Sequence, residues 1–156
     1  MQASEFIYEK PPRLIALGDI HGDLEKLIVC LQNYKIIDEN HNWIANPPNT
    51  IIVQCGDQVD SACRTDVCQT QNWETNTADI DVLIFTHMLD QKAKVHGGRF
   101  ISLIGNHEIM NSMGDFRNVS QNSLERTGGP GGRLMLFSTN TPITQILTER
   151  PAVVRV

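Results

Sequence analysis

Three short apolar runs, separated by segments of helical periodicity, most constrain how this chain of 156 residues can fold. The runs are Arg13–Leu17, Ile51–Val53 and Phe100–Ile104, and a glycine follows each of them closely. Between the runs, apolar residues recur at helical spacing in Leu24–Leu31 and Ile80–Met88. Strands that alternate with helices are typical of a mostly parallel sheet, so we predict an α/β fold that begins as a βαβ unit.

The composition is that of one ordinary folded domain. Hydrophobic residues make up 40% of the chain and charged residues 20%. The formal net charge of -5 argues against nucleic-acid binding through a basic surface. No apolar run approaches the roughly 20 residues of a membrane span, and Met1–Lys10 lacks the pattern of a signal peptide. We therefore predict a cytoplasmic protein with neither a nucleic-acid nor a membrane partner.

Segments outside the periodic regions give weaker signals. Residues 62–77 contain few apolar side chains and no clear period, which predicts a loop insertion within a single domain spanning residues 1–156. Cys63 and Cys68 in this loop are predicted to be free thiols, with a local disulfide as the alternative. After the third run we expect a flexible turn, two short helices and one more strand, at Gly128–Gly132, Leu134–Phe137, Ile143–Leu147 and Ala152–Val156.

Each predicted strand leads into a turn that carries metal-ligand side chains. The turns are Gly18–Gly22, Gly56–Asp60 and Gly105–Glu108. Because the carboxyl ends of parallel strands meet at one edge of a sheet, we expect these side chains to converge in one cleft. Carboxylates, an imidazole and an amide oxygen suit divalent cations. The predicted ligands are Asp19, His21, Asp57 and Asn106.

This donor set predicts two divalent cations and a phosphoester substrate. Asp19 and Asp57 would repel each other without metal, and two cations roughly 3.5 to 4 Å apart remove that conflict, with Asp57 able to bridge them. Such a pair activates water and aligns its attack on phosphorus. His107, next to Asn106, is the predicted general acid for the leaving group, and Asp60 is predicted to orient it and hold it protonated.

The three turns resemble the signature motifs of the calcineurin-like metallophosphoesterases, specifically the phosphoprotein phosphatase group, with its Gly-Asp-x-His-Gly, Gly-Asp-x-Val-Asp and Gly-Asn-His-Glu sequences. The continuation Ile109–Asn111, followed by Gly114–Asp115, is similar to the Shewanella-like phosphatase branch. The resemblance covers about Leu14 to Asp115. It implies a layered β-sandwich of two packed mixed sheets flanked by helices, and metals that are commonly manganese, iron or zinc.

The same resemblance implies roles for the turn residues. Asp19 and His21 bind the first metal, Asp57 bridges, and Asn106 binds the second metal. His107 is the proton donor, paired with Asp60. The implied substrate is a phosphorylated protein, at phosphoserine or phosphothreonine, or a small phosphomonoester. Two alternatives remain open: a dinucleoside polyphosphate hydrolase that shares these turns, and a catalytically weak metal- or phosphate-binding module that acts through a partner.

The second turn departs from the family pattern at the position that grips substrate phosphate. The family continues with Asp-Arg-Gly, whereas Asp60 is followed here by Ser61 and Ala62. Arg64 is the predicted substitute as the substrate-binding residue, and Arg117, after the third turn, is a second candidate.

A further departure concerns histidines. The family takes two more metal-binding histidines from strands downstream of the third motif, and the chain ends before either could appear. The other histidines are not expected to replace them: His41 lies in a polar turn, His87 lies on the apolar face of a predicted helix, and His96 lies in a tight turn before the third strand. We therefore expect the amino-terminal half of a longer phosphatase domain, with the carboxyl-terminal half missing, or a shortened protein that has lost full activity.

Overall fold

The computed structural model describes residues 7–61 and 78–156. The predicted insertion at residues 62–77, with Arg64, Cys63 and Cys68, lies outside the described residues. The strands are β1 (Leu14–Leu17), β2 (Ile51–Gln54) and β3 (Arg99–Ser102). The helices are α1 (Leu24–Asn33), α2 (Asp79–Val95), α3 (Asn106–Ser112), α4 (Gln121–Arg126), α5 (Gly129–Leu136) and α6 (Pro142–Thr148).

The three strands form one parallel sheet in the order β1-β2-β3 within the described ranges. Val53 aligns with Ala16 on one side and with Ile101 on the other. Parallel neighbours need crossover connections, and α1 and α2 lie in those connections. The α/β prediction is confirmed as a parallel sheet flanked by helices, and the second sheet that the family resemblance implies is not among residues 7–61 and 78–156.

The main core lies between the sheet and its two crossover helices. Helix α1 begins after Asp23, whose carboxylate accepts the Lys26 N–H at 3.0 Å and so caps the helix. Leu31 of α1 and Leu89 of α2 pack with Phe100 of β3 in this core. Burying one such side chain stabilises the fold by about 1.5–3 kcal/mol. No helix of the described chain is long and apolar enough to cross a membrane.

Two predictions for the last thirty or so residues are wrong. The turn expected at Gly128–Gly132 is mostly helical, because Gly128 caps α5 at φ 85° and Pro130 occupies the first turn, where its missing N–H costs no hydrogen bond. The strand expected at Ala152–Val156 is absent: only Arg155 forms a bridge, with Ile7. The Pro151 carbonyl accepts the Ile104 N–H, so β3 also ends earlier than predicted.

Candidate metal centre

Three side chains from the three strand-end turns meet at the carboxyl edge of the sheet. His21, Asp57 and His107 each offer one ligand atom, and these atoms lie within 4.8 Å of one another. The rings of His21 and His107 meet edge to face, with centroids 4.8 Å apart. The parallel register explains the convergence, since each side chain follows a strand that ends at this edge.

His21 presents its Nε2 atom to the cleft. Its Nδ1 lies 3.1 Å from the Val59 carbonyl oxygen. Because a carbonyl can only accept a hydrogen bond, Nδ1 carries the hydrogen and the neutral ring keeps its lone pair on Nε2. The Asp19 carboxylate oxygen lies 3.8 Å from that Nε2. A backbone partner that fixes the ring in this way is the usual support of a metal-binding histidine.

Three predicted site residues adopt backbone conformations that non-glycine residues rarely use. His21, Asp57 and Asp60 have φ angles of 48°, 54° and 68°. Such left-handed residues cost of order 1–3 kcal/mol each when strained, and they cluster at functional sites. The surrounding structure therefore holds these turns against their local preference.

Two glycines allow the second and third turns to interlock. A methyl group on Gly56 would come within 2.6 Å of the Gly105 nitrogen, and one on Gly105 would overlap the Asp57 carboxylate. The same carboxylate accepts the His107 backbone N–H at 3.0 Å. Glycine is required at both positions because backbone passes directly against backbone and against the predicted bridging ligand.

Glu108 clamps these two turns together through backbone N–H groups. Its Oε1 accepts from Gln58 at 2.7 Å and Val59 at 3.2 Å. Its Oε2 accepts from Asp57 at 3.0 Å and Gly105 at 2.7 Å. Glu108 belongs to the third motif, but the motif alone indicated no role for it. A glutamate three residues after the glycine that caps α3 is the signal that could have identified it.

His107 is held by a buried carboxylate. Its Nδ1 lies 2.7 Å from Asp60 Oδ2, and the two side chains are 3% and 0% exposed. Asp60 Oδ1 accepts a hydrogen bond from Asn111 at 2.7 Å and one from Arg133 at 3.3 Å. Burial raises the pKa of the Asp60 carboxyl above its ordinary value, while the hydrogen bonds from Asn111 and His107 and the Arg133 charge oppose the rise.

Arg133 is a residue of this site that the sequence analysis missed. Its side chain is fully buried and donates to Asn111 Oδ1 and Asp79 Oδ2, each at 2.6 Å. Asp79 also accepts from Ser123 Oγ at 2.5 Å. The position of this arginine among the apolar residues of α5 is the only local sequence feature that indicates its burial. That feature does not identify the residues with which Arg133 pairs.

Other predicted residues lie near the centre or away from it. Asp19 and Asn106 are both exposed at the strand-end turns, and the Asn106 amide nitrogen lies 4.0 Å from Met110 Sδ. Their binding of metal stays a prediction. Arg117 instead pairs with Asp115 at 2.8 Å on the surface, and its side chain is 75% exposed.

Two spare histidines have partners outside the cluster. His87 Nδ1 lies 3.7 Å from a Glu149 carboxylate oxygen, and the His41 ring packs edge to face on Phe85. Neither belongs to the group of His21, Asp57 and His107.

The chain is similar to known proteins in sequence and in structure. Residues 12–150 match the family described as calcineurin-like phosphoesterase. The chain belongs to this family. It is 36% identical to Shewanella-like protein phosphatase 2 of Arabidopsis thaliana over 76% of its own length, and 34% identical to Shewanella-like protein phosphatase 1 of Plasmodium berghei over 72%. It spans only 26% and 27% of those two relatives.

Solved structures agree with the calcineurin-like assignment. A cold-active protein tyrosine phosphatase superposes with a TM-score of 0.77 at 30% identity, over 96% of this chain and 40% of that one. The cold-active protein-tyrosine phosphatase of a psychrophilic Shewanella gives 0.76 at 29% identity, over 96% and 41%. The predicted family and its Shewanella-like branch are thus confirmed.

The donor chemistry of the cluster fits the divalent metals that calcineurin-like phosphoesterases use. Asp57 supplies a hard carboxylate oxygen, and His21 supplies a neutral imidazole nitrogen whose tautomer is already set by Val59. Gly105 leaves the space that a side chain would take from the Asp57 carboxylate. The described residues thus include a group of side chains that could hold a divalent metal.

Proposed function

We propose that this chain carries the metal-binding turns and the general acid of a phosphatase that hydrolyses phosphomonoesters. The observation that carries the proposal is the buried pair of His107 and Asp60, joined at 2.7 Å, directly beside the cluster of His21 and Asp57. A carboxylate on the second ring nitrogen fixes the orientation of a histidine, which suits that histidine to bind metal or to transfer a proton. A hydrolytic site needs such a histidine, because the leaving oxygen must receive a proton.

Four side chains would hold two divalent cations, of manganese, iron or zinc: Asp19, His21, Asp57 and Asn106. Two cations supply, when bound, an activated water and positive charge for the phosphoryl oxygens. His107 donates its Nδ1–H to Asp60, which leaves Nε2 as the atom that passes a proton to the leaving group. Asp60 keeps the ring in that orientation throughout.

The proposed substrate is a phosphorylated protein, with phosphoserine or phosphothreonine as the first expectation. The solved neighbours are named tyrosine phosphatases, which favours phosphotyrosine as the second candidate. Phosphopeptides of one sequence that differ only in the phosphorylated residue would separate the two. Faster hydrolysis of the phosphotyrosine peptide would overturn the first expectation, and no hydrolysis of either would leave a small phosphomonoester or a dinucleoside polyphosphate to be assayed.

The general acid can be tested directly by measuring the turnover of p-nitrophenyl phosphate and of phenyl phosphate by the chain loaded with Mn²⁺. His107→Asn should lower kcat by about 10²–10⁴-fold on phenyl phosphate, whose poorer leaving group needs the proton more. His87→Asn is the matched control, because this histidine lies by Glu149 and outside the cluster. Equal activity of the His107 variant and the parent would refute the proposed acid. Absence of turnover from the folded, metal-loaded parent would favour a weak binding module.

Metal binding can be tested without activity. Asp57→Asn should weaken Mn²⁺ binding at both positions in titration calorimetry, because one bridging charge is lost. Asp115→Asn removes a carboxylate that pairs with Arg117 on the surface and should leave binding unchanged. An Asp57 variant that binds Mn²⁺ like the parent would contradict the bridging role.

A further inference from the structure

We propose that Arg133 and Asn111 are positioning residues that fix the orientation of His107 through Asp60. We call these four side chains the His107 support. The inference rests on the proposed function for its catalytic meaning, while its structural content concerns contacts that can be measured without turnover. No motif in the sequence joins the two residues, which are 22 positions apart.

The carboxylate of Asp60 has little freedom to rotate. Oδ2 is held by His107 Nδ1 at 2.7 Å, and Oδ1 accepts from Asn111 Nδ2 at 2.7 Å and from Arg133 Nη2 at 3.3 Å. These three donors address both oxygens from different directions. A carboxylate restrained at both oxygens restrains in turn the ring that donates to it.

Asn111 is restrained at both ends of its amide. Its Nδ2 donates to Asp60 and also to the His107 backbone carbonyl, at 2.9 Å. Its Oδ1 accepts from Arg133 Nε at 2.6 Å. Because Nε of arginine can only donate, the amide oxygen must face Arg133 and the amide nitrogen must face Asp60. Arg133 and the His107 carbonyl together thus fix which way the Asn111 amide points.

Arg133 is itself fixed by a buried acid. Asp79 Oδ2 accepts from Nη2 at 2.6 Å, while its Oδ1 accepts from Ser123. Arg133, Asp79, Asn111 and Ser123 are each 0% exposed. Together with its buried partners Asp79 and Ser123, the support therefore links four helices, α2, α3, α4 and α5, to one imidazole ring, and water does not loosen these contacts.

The test follows the His107 imidazole by NMR in the full 156-residue chain, with the ring signals assigned by their loss in His107→Asn. In the parent we expect a protonated Nδ1 whose hydrogen exchanges slowly with water. Arg133→Met should make this exchange at least about tenfold faster, because the carboxylate that accepts the hydrogen loses its restraint. Arg133→Lys should restore part of the protection, since an ammonium keeps the charge without the fork that bridges Asn111 and Asp79.

Arg150→Met is the matched control. Arg150 and Arg133 each have a buried Nη1 atom without a hydrogen-bond partner among the described residues, but Arg150 contacts Leu83 and Thr86 rather than Asp60. Its loss should leave the exchange of the His107 Nδ1 hydrogen unchanged. A folded Arg133→Met chain with parental exchange, or an equal effect of Arg150→Met, would overturn the proposal.

A second variant covers the case in which Arg133→Met does not fold. Asn111→Ala removes the amide bridge while both buried carboxylates keep the arginine, and it should accelerate the same exchange. Parental exchange in a folded Asn111→Ala chain would equally overturn the proposal. If both variants fail to fold, Arg133→Lys decides by the same criterion.

The activity readout separates the support from the proposed function. If the chain is catalytically active, Arg133→Lys should lower kcat by about 10- to 100-fold with little change in KM. This is expected when the contacts that orient a catalytic group are weakened. A chain that shows the exchange effect but no phosphatase activity would keep the support and remove its catalytic meaning. A fall in activity that comes entirely from KM would overturn the positioning role.

Discussion

The two ends of β3 carry charged clusters of opposite design. At its amino end, Asp90 binds Arg99 through both oxygens, at 2.8 and 3.1 Å, and Lys94 at 2.9 Å, and these side chains are 12%, 29% and 43% exposed. Beyond its carboxyl end, the His107 support places Asp60 and Arg133 at 0% exposure. One cluster lies at the protein–water boundary and the other is sealed from water.

The charges of the two clusters are balanced in opposite ways. The amino-end cluster sets one carboxylate against two cations, all with access to solvent that screens any imbalance. The sealed cluster sets the carboxylates of Asp60 and Asp79 against one permanent cation, Arg133, and the imidazole of His107. Buried ion pairs of this kind rarely add stability relative to apolar packing, but removing one partner is costly. The difference indicates that the amino-end cluster stabilises the sheet, whereas the sealed cluster serves to orient the side chains that it contacts.

The largest expected effect breaks the sealed cluster. Arg133→Met should lower the free energy of unfolding by about 3–5 kcal/mol, because two buried carboxylates lose the one guanidinium that bonds them among the described residues. Arg99→Met should cost only about 1–2 kcal/mol, since Asp90 keeps Lys94 and partial contact with water. Urea denaturation of both variants measures the contrast. Equal losses would show that burial does not distinguish the two clusters.

A smaller loss is expected when the clamp between the turns is weakened. Glu108→Gln should cost about 2–3 kcal/mol, because one carboxylate oxygen that accepts backbone N–H groups becomes an NH₂ facing donors. Glu125→Gln, on the exposed face of α4, is the matched control and should be neutral. A Glu108 variant with parental stability in urea would show that the glycine turns hold each other without the clamp.

The contrast between the two clusters also shows which features of the fold and of the site could be predicted from the sequence. Local patterns predicted the strands and the crossover helices, because each depends on a short segment. The rule that parallel strand ends converge predicted a cleft of Asp19, His21, Asp57 and Asn106, and the structure brings two of these, His21 and Asp57, together with His107. The pair of His107 and Asp60 was predicted for the same reason and is present at 2.7 Å. Both residues of this pair lie within the strand-end motifs.

The rest depended on packing between distant helices. Arg133 and Asp79 are 54 residues apart and carry no shared motif, so nothing in either segment identifies the other as its partner. Ala152–Val156 reads as a strand because its residues favour one, yet no described strand lies alongside to pair with it. Tertiary contacts decide both the pairing of Arg133 with Asp79 and the absence of the strand, and such contacts cannot be predicted from local sequence patterns.

The smallest expected effect concerns the amino-end cluster and depends on pH. Although burial alone would raise the pKa of Asp90, hydrogen bonds from Arg99 and Lys94 hold it below its ordinary value. A carboxylate with a lowered pKa in the folded state stabilises that state above its unfolded pKa of about 3.9, and the contribution is lost as the pH falls through the folded pKa. Asp90→Asn should therefore cost about 1–2 kcal/mol at pH 7.

The cost of Asp90→Asn should vanish in acid. Parent and variant should approach equal stability in urea as the pH drops below about 4, because the parent carboxylate is then protonated and holds its partners no better than an amide does. Glu125→Gln, on the exposed face of α4, should follow the parent at every pH. A difference between Asp90→Asn and the parent that stays constant from pH 7 into acid would mean that the residue acts through shape and neutral hydrogen bonds. The amino-end cluster would then anchor β3 without its charge.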